Sequence, residues 1–378
     1  MSMSFHQLDL RAMDGANPLG FLAALGTLAV LAEAGAMVKL GWRRAAHWTP
    51  FLQRERPLSE GAIARLLAKK MRGNPVDPAA EKQCAAAHKA LVSAKKDLKD
   101  AQKKLKQRRL RGKEREAAWK AEIEPRIQQF DATRKKYLGA LKSATPSLEL
   151  AIGDRPDCTI NEFREHAYSA MADAGPTQRL VPDLLAAFGS ECEANGGQHI
   201  APTPFCFITG SGHQWFLKTA RDLMAKTSAA KLFEATFKPW TFSDPGLSMR
   251  WNPTEDIRYA LQLDDPGPIG AHTVWMANLL AYRALAFFPC VPARHGMAAA
   301  GWSGHRQLNA FTWPIWEAPL GMDTIRSLLC HIAFGNPEPI RWRMELRARG
   351  VVAIFRSQRI AVGSGGNRKI NFSPAQSL

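Results

Sequence analysis

Residues 81–145 read EKQCAAAHKALVSAKKDLKDAQKKLKQRRLRGKEREAAWKAEIEPRIQQFDATRKKYLGALKSAT and hold most of the excess positive charge of the chain. They contain nineteen Lys and Arg against eight Asp and Glu, a net charge of +11, and the whole chain of 378 residues carries +17. Residues 340–369 add eight basic residues against Glu345 alone, so that 24 basic and 25 acidic residues remain elsewhere. Charge confined to two segments is typical of a polyanion-binding surface.

The spacing of apolar residues predicts that the first segment is an antiparallel helical hairpin. They recur every seven residues at Cys84, Leu91, Leu98 and Leu105, and the intervening seam positions are Ala87, Ala94 and Ala101. Leucine at one seam position and alanine at the other allows two helices to approach closely. Gly112 marks a turn, and a second apolar series with helical spacing begins at Trp119. Pro125 either kinks this second helix or opens its main part.

The turn of the hairpin is the most positive part of the sequence. Lysine and arginine at this density are suited to bind the phosphate groups of a nucleic acid. The alternative is a solvated coiled coil that docks a partner protein or acts as a spacer. We therefore predict nucleic-acid contacts from Lys103, Lys104, Lys106, Arg108, Arg109, Arg111, Lys113 and Arg115.

The C-terminal basic segment predicts a β-element lined with arginine. Apolar residues occupy the even positions of residues 340–348 and mostly arginine the odd ones, which is the period of a strand. Gly350 is expected to turn this strand into a second one over residues 351–362. The predicted phosphate ligands here are Arg341, Arg343, Arg347, Arg349, Arg356 and Arg359, and the alternative is an exposed face that binds nothing.

The rest of the chain predicts an α+β fold. We expect a helix-rich globular body with a small, mostly antiparallel sheet, a protruding helical hairpin and a C-terminal β-hairpin. The body is formed by residues 1–78 and 146–378, and the hairpin is an insertion of residues 79–145. Asn17 and Pro18 predict the start of a buried helix that is apolar nearly all round. Residues 203–209 read as a buried strand.

The longest apolar run, residues 19–32, is too short to cross a bilayer. Acidic residues precede it, which disfavours a signal peptide. The six cysteines are scattered without a CxxC pair, so we expect reduced thiols and a cytoplasmic protein without membrane contact.

Signals for catalysis are weak, and we expect no catalytic residue, metal or cofactor. Cys192, His199, Cys206 and His213 recur every seven residues, but this spacing fits no usual zinc site. Asp256 and Asp264 are the carboxylates that a metal-dependent nuclease would use, and ion pairing with nearby arginines is the preferred interpretation. Three polar residues in predicted loops are candidates to read bases, with capping or turn formation as the alternative: Asn17, Gln307 and Asn309.

Several short patches resemble a known family. They are Asn17–Gly20 with Ala24–Gly26, Arg250–Pro253 with Asp256–Leu261, Phe287–Pro289, Phe311–Trp316 and Ile325–Leu329. Together they resemble CRISPR-associated proteins of the type I-G (formerly I-U) systems, in particular the large-subunit-like component of a Cascade effector complex.

The resemblance implies a subunit without enzymatic activity that acts in antiviral defence. Its implied partners are double-stranded target DNA on the flanking-motif side, crRNA, other effector subunits and a recruited helicase–nuclease. A metal-dependent nuclease and a coiled-coil docking scaffold are the two alternatives.

Overall fold

A computed structural model describes residues 5–57, 59–175, 179–193, 198–210, 214–255, 272–293, 296–304, 308–362 and 369–378. The chain divides into two compact units, one formed by residues 1–73 and 154–378 and the other by residues 74–153. We call the first unit the body and the second the hairpin unit. Helices combined with small antiparallel sheets confirm the predicted α+β class.

The helices carry most of the described structure. They are α1 Pro18–Glu33, α2 Glu60–Met71, α3 Pro78–Gln107, α4 Gly112–Glu122, α5 Glu124–Ser143, α6 Ile160–Asp173, α7 Leu180–Phe188, α8 Phe216–Ala225, α9 Ala229–Phe237, α10 Trp275–Ala284, α11 Met322–Leu329 and α12 Arg343–Ala348. Short 3₁₀ turns occur at Leu148–Ile152, Pro253–Glu255, Leu285–Phe287, Ile332–Gly335 and Pro339–Trp342. Among the described residues, no helix is both long enough and apolar enough to span a membrane.

The strands of the body form small antiparallel sheets. They are β1 His6–Asp9, β2 Lys39–Arg44, β3 Trp48–Arg54, β4 Gly189–Glu193, β5 Ile200–Pro202, β6 Asp244–Pro245, β7 His272–Thr273, β8 Cys290–Ala293, β9 Gly296–Ala299, β10 Trp302–Ser303, β11 Ala310–Trp316, β12 Val351–Val362, β13 Lys369–Phe372 and β14 Gln376–Ser377. One sheet has the order β1-β3-β2, and the largest has the order β10-β11-β12-β13 with β14 also paired to β12.

Helix α1 lies at the centre of the body. All its residues from Pro18 to Leu31 are buried, as its apolar sequence predicts. It packs against α10, and a Cβ added to Gly26 would lie 1.7 Å from the carbonyl oxygen of Leu280. The two helix backbones therefore touch at a position that only glycine fits.

Aromatic side chains attach α1 to two sheets. The Phe21 ring stacks on Trp42 of β2 at 5.6 Å and lies 5.7 Å from Trp313 of β11. The indole of Trp313 donates a hydrogen bond to the Gly15 carbonyl at 2.8 Å, and that of Trp316 donates to Leu40, also at 2.8 Å. The indoles of Trp313 and Trp316 thus have their polar atoms satisfied while they fill the core.

The prediction of a strand at residues 203–209 is wrong, although Thr203–Ile208 are buried as expected. The segment is an irregular turn, and its backbone polar groups make hydrogen bonds that do not belong to a sheet. The amide of Cys206 donates to the Thr203 carbonyl at 3.0 Å, and the Trp251 indole donates to the Phe205 carbonyl at 3.0 Å. A buried apolar run needs its backbone bonds satisfied, but a sheet is not the only solution.

The prediction of an arginine-lined strand at residues 340–348 is also wrong. This segment forms the 3₁₀ turn Pro339–Trp342 and then helix α12. The residues RMELRA of α12 are mostly strong helix formers, and of them only Leu346 is buried. The C-terminal β-hairpin does exist, but β12 pairs with β13 and not with residues 340–348.

We expect Gly26→Ala to destabilise the body strongly. The added methyl group has to displace the α10 backbone, because it would overlap the Leu280 carbonyl. Overpacking of this kind costs about 3 kcal/mol or more, which urea unfolding will measure. Gly61→Ala is the matched control, since the nearest atom to its new Cβ is Arg65 Nη1 at 3.5 Å. It should be neutral or stabilising by up to ~1 kcal/mol. Equal losses for both variants would contradict the packing argument.

Candidate nucleic-acid interface

The hairpin unit begins with a defined helix cap. The Asp77 side chain accepts a hydrogen bond from the Ala79 amide at 3.1 Å, and Pro78 occupies the first helical position. Helix α3 then runs for 30 residues, which corresponds to about 45 Å at about 1.5 Å per residue. Because lysine, alanine, glutamine and leucine dominate its sequence, intrinsic propensity supports this length.

Helices α3 and α5 pack antiparallel, as the sequence predicts. The rings of His88 and Tyr137 lie 5.2 Å apart near one end. Arg108 and Glu122 form an ion pair near the other end. Ala94 and Leu105 of the predicted seam are buried. The other leucines of the seam are only half-buried, because two helices cover one stripe of each other and leave its flanks in water.

The return arm of the hairpin is divided near Pro125. Helix α4 ends at Glu122 and α5 begins at Glu124, so that the proline lies in the first turn of α5. Proline is tolerated there because the N–H groups of a first turn have no acceptor within the helix, so the absence of one of them breaks no hydrogen bond. Ile123 at the junction is fully buried and holds the two helices against the seam.

The basic turn, which we call the hairpin tip, comprises residues 103–115. Its backbone reverses through left-handed conformations at Arg109, with φ +50°, and at Gly112, with φ +52°. All eight predicted phosphate ligands of the tip have exposed side chains. In the described part of the chain, Arg108 is the only one of them in an ion pair. With Glu114 as the single acidic residue in the tip, seven cations remain available to an external anion.

The arginines at residues 341–349 lie on the 3₁₀ turn Pro339–Trp342, on helix α12 and at its C-terminal cap, and not on a strand. Arg341 pairs with Glu338, and Arg349 pairs with Glu345 at 2.8 Å, each within one helical turn. Arg343 and Arg347 are exposed and four residues apart, so they share a helix face. This region therefore offers a small basic patch and not the predicted arginine-lined strand.

Arg356 and Arg359 of β12 point into the body, so the structure does not support their prediction as phosphate ligands. Arg356 donates to the Thr312 hydroxyl at 2.9 Å and to the carbonyls of Pro337 and Asn336 at 2.6 and 2.8 Å. Arg359 lies over the Phe207 ring at 5.5 Å, and burial lowers the pKa of its guanidinium. The two arginines are three residues apart on one strand and so lie on opposite faces of it, where each is engaged by groups of the body.

Two of the three candidate base-reading residues are described. Asn17 caps α1 by accepting from the Leu19 amide at 2.9 Å, and its amide donates to the Asn252 side chain at 3.0 Å. Asn17 therefore has a capping role, which the sequence analysis gave as the alternative to base reading. Asn309 is exposed, and its carbonyl accepts from the Arg359 amide at 2.7 Å. Gln307 lies outside the described residues.

The structure describes only part of the possible catalytic and metal-binding residues. Asp256, Asp264, His213 and the side chain of Cys192 lie outside the described residues. Burial raises the pKa of the Cys206 thiol to about 12, so that it stays protonated at neutral pH. Within the described ranges, no three His, Cys, Asp or Glu side chains are grouped as a metal site would need.

A separate apolar groove of about 360 Å³ lies in the body. Phe163, Met171 and Leu185 contribute to its lining. Its carboxylate, Glu191, forms a bidentate ion pair with Arg164 at 2.9 and 3.1 Å. The groove offers apolar contact and no group poised for acid–base chemistry.

Comparison with known proteins adds no relative. No family model matches the chain, and no curated protein is significantly similar to it.

We expect Arg356→Gln to lower stability without changing nucleic-acid binding. The variant leaves the carbonyls of Asn336 and Pro337 without their charged donor, a loss of about 1.5–3 kcal/mol for hydrogen bonds to a charged group. Arg347→Gln is the matched control, because its side chain is exposed and surface changes usually stay within about 0.5 kcal/mol. Thermal unfolding and a salt series of DNA binding measure the two effects. Weakened DNA binding by a stably folded Arg356→Gln protein would contradict this assignment.

Proposed function

We propose that this chain is a non-enzymatic nucleic-acid-binding protein that uses the hairpin tip to contact the phosphate backbone. The observation that carries the proposal is the group of seven exposed tip cations without a carboxylate partner in the described structure. Lysine and arginine at this density repel one another, so they destabilise the tip unless an anion binds there. Phosphates of a nucleic acid supply such anions at regular spacing.

An aromatic side chain beside the tip supports the same function. Trp119 of α4 keeps 36% of its surface exposed, although tryptophan is usually well buried. It lies four residues after Arg115 and therefore on the same face of the helix. An indole next to cations allows stacking on an unpaired base or contact with a sugar, in addition to phosphate binding.

The wider part of the proposal rests on the sequence patches that resemble type I-G CRISPR-associated proteins. On this basis the chain is the large-subunit-like component of a Cascade complex in the cytoplasm. Its hairpin contacts the duplex on the flanking-motif side of the target DNA, crRNA, or both. Other effector subunits and a recruited helicase–nuclease complete the antiviral function. Phosphate contacts from the tip would position the duplex, while sequence would be read by other groups.

The tip is tested by charge reversal of Lys103, Lys104, Lys106 and Lys113 to glutamate. These side chains are exposed, so the fold should tolerate the change. Each lost phosphate contact reduces the slope of log affinity against log salt by about 0.9 for duplex DNA. We therefore expect a slope smaller by ~3.6 for four lost contacts, with much weaker binding at low salt, in a gel-shift series.

A matched control separates local contact from net charge. Reversal of Lys82, Lys89, Lys135 and Lys142 makes the same change of charge on exposed residues of the same unit. Lys82 is 21 residues before Lys103 on α3, or about 31 Å at about 1.5 Å per residue, well beyond a Debye length of about 8 Å. The control should keep most of the slope. Equal effects of both variants, or no effect of the tip variant, would contradict the proposal.

A docking scaffold is the second candidate, and exposed apolar surface on the hairpin favours it. Val92 of α3 is 54% exposed in the middle of the helix. A third helix from a partner protein would cover such a residue, as in a helical bundle. In that case the basic tip would be solvated and the hairpin would bind protein.

Excision of the hairpin distinguishes the two candidates. The Asn74 amide donates to the Pro146 carbonyl at 2.8 Å, so the two chain ends at the base of the hairpin are adjacent. A short Gly-Ser linker in place of residues 79–143 therefore preserves the connection. We expect the excised protein to lose most DNA affinity in the gel shift. Retained DNA binding together with lost co-purification of partner proteins would instead establish the scaffold.

A further inference from the structure

A small cavity in the body has the chemistry of an anion site. Its volume is about 140 Å³, and it lies at the end of strands β1 and β3. The lining includes His6, Arg54 and Arg56, and none of the described lining residues carries a carboxylate. A cavity of this volume holds several waters and is large enough for a tetrahedral oxyanion.

Arg54 is the central residue of this cavity because none of the described residues supplies a carboxylate partner for its charge. Its Nε and Nη1 atoms are withdrawn from solvent, and neither has a hydrogen-bond acceptor in the described structure. A guanidinium that loses water without gaining an acceptor costs free energy, and a buried cation normally has a paired anion. Strand pairing holds Arg54 in place, since it stands opposite His6 in the register of β1 and β3.

Neighbouring arginines show that Arg54 is an exception. Arg11 pairs with Glu60 at 2.7 Å, and Arg43 pairs with Asp9 at 3.1 Å. Both of these side chains are about half exposed, so they need a partner less than Arg54 does. Two exposed arginines nearby thus have carboxylate partners, whereas the more enclosed Arg54 has none among the described residues.

The surroundings of the cavity favour negative charge further. Arg56 adds a second guanidinium to the lining. Ile63 of the first turn of α2 also lines the cavity, and Glu60 of that turn is already paired with Arg11 at 2.7 Å. A planar guanidinium presents its N–H groups in a fork that matches two oxygens of a phosphate.

We propose that this cavity binds a phosphate group, through Arg54 with Arg56. The group is either inorganic phosphate or the terminal phosphate of a nucleic-acid strand, both of which present the same oxyanion. The site belongs to the body alone and does not depend on the proposed role of the hairpin tip.

The test is titration of the full-length chain with inorganic phosphate, followed by calorimetry and thermal unfolding at constant ionic strength. We expect saturable binding and a rise of Tm with phosphate concentration. Arg54→Gln should weaken phosphate binding about tenfold to a hundredfold, since a charge-assisted contact is lost. Arg54→Lys should retain part of the affinity, because it keeps the charge without the fork. Arg56→Gln should show a smaller loss.

Controls separate a binding role from a structural one. Without phosphate, Arg54→Gln should keep or raise the Tm, because it removes an uncompensated charge. Arg44→Gln changes an exposed arginine of the same sheet and should bind phosphate normally, as should the hairpin-tip variant. Absence of saturable phosphate binding by the wild type, or equal affinity of Arg54→Gln, would overturn the proposal.

Competition identifies the source of the phosphate group. An oligonucleotide with a 5′-phosphate that displaces inorganic phosphate, while its 5′-hydroxyl counterpart does not, would support the site and assign it to a strand end. Displacement by neither oligonucleotide, with phosphate binding intact, would support the site and assign it to free phosphate.

Discussion

The contact between the backbones of α1 and α10 at Gly26 and Leu280 is the constraint on which the body depends. A helix that is apolar on all sides has no stable position until other elements cover each face. Helix α10 covers one face, and Trp42 of β2 with Trp313 of β11 cover another through Phe21. Two of these three elements come from chain segments that follow the hairpin. The body therefore forms only when the chain segments before and after the hairpin pack together. In the sequence, the hairpin unit is an insertion between these segments.

Burial decides what each cation of this protein does. Inside the body, arginines acquire fixed partners: Arg221 pairs with Asp154 at 2.5 Å, and Arg356 is bound to two carbonyls. Such groups have to be paired because a desolvated charge is costly. Cations of the hairpin tip remain in water and need no internal partner. Arg54 differs from these groups, since two of its guanidinium nitrogens are withdrawn from solvent and have no acceptor in the described structure, and they line a cavity that can hold a ligand.

The accuracy of the sequence predictions follows the length and strength of each pattern. The hairpin was predictable, because several heptads, a Gly turn and a proline all indicated the same structure. The alternation at residues 340–348 was misleading, because so short a pattern does not exclude a helix. The segment forms a 3₁₀ turn followed by a six-residue helix. Residues 203–208 are buried as expected, but the Phe205 carbonyl accepts a hydrogen bond from the Trp251 indole and not from a neighbouring strand, which no sequence pattern shows. Nothing in the sequence distinguished Arg54 from the other arginines.

The sequence by itself determined the charge distribution, the helical hairpin with its basic tip and the buried character of α1. These properties depend on local composition and periodicity, which neighbours along the chain already define. Only the tertiary structure decided which arginines are exposed, that Asn17 is engaged with Asn252, and that a cavity forms beside Arg54. Those outcomes depend on packing between residues up to 235 positions apart, and no local pattern specifies such contacts.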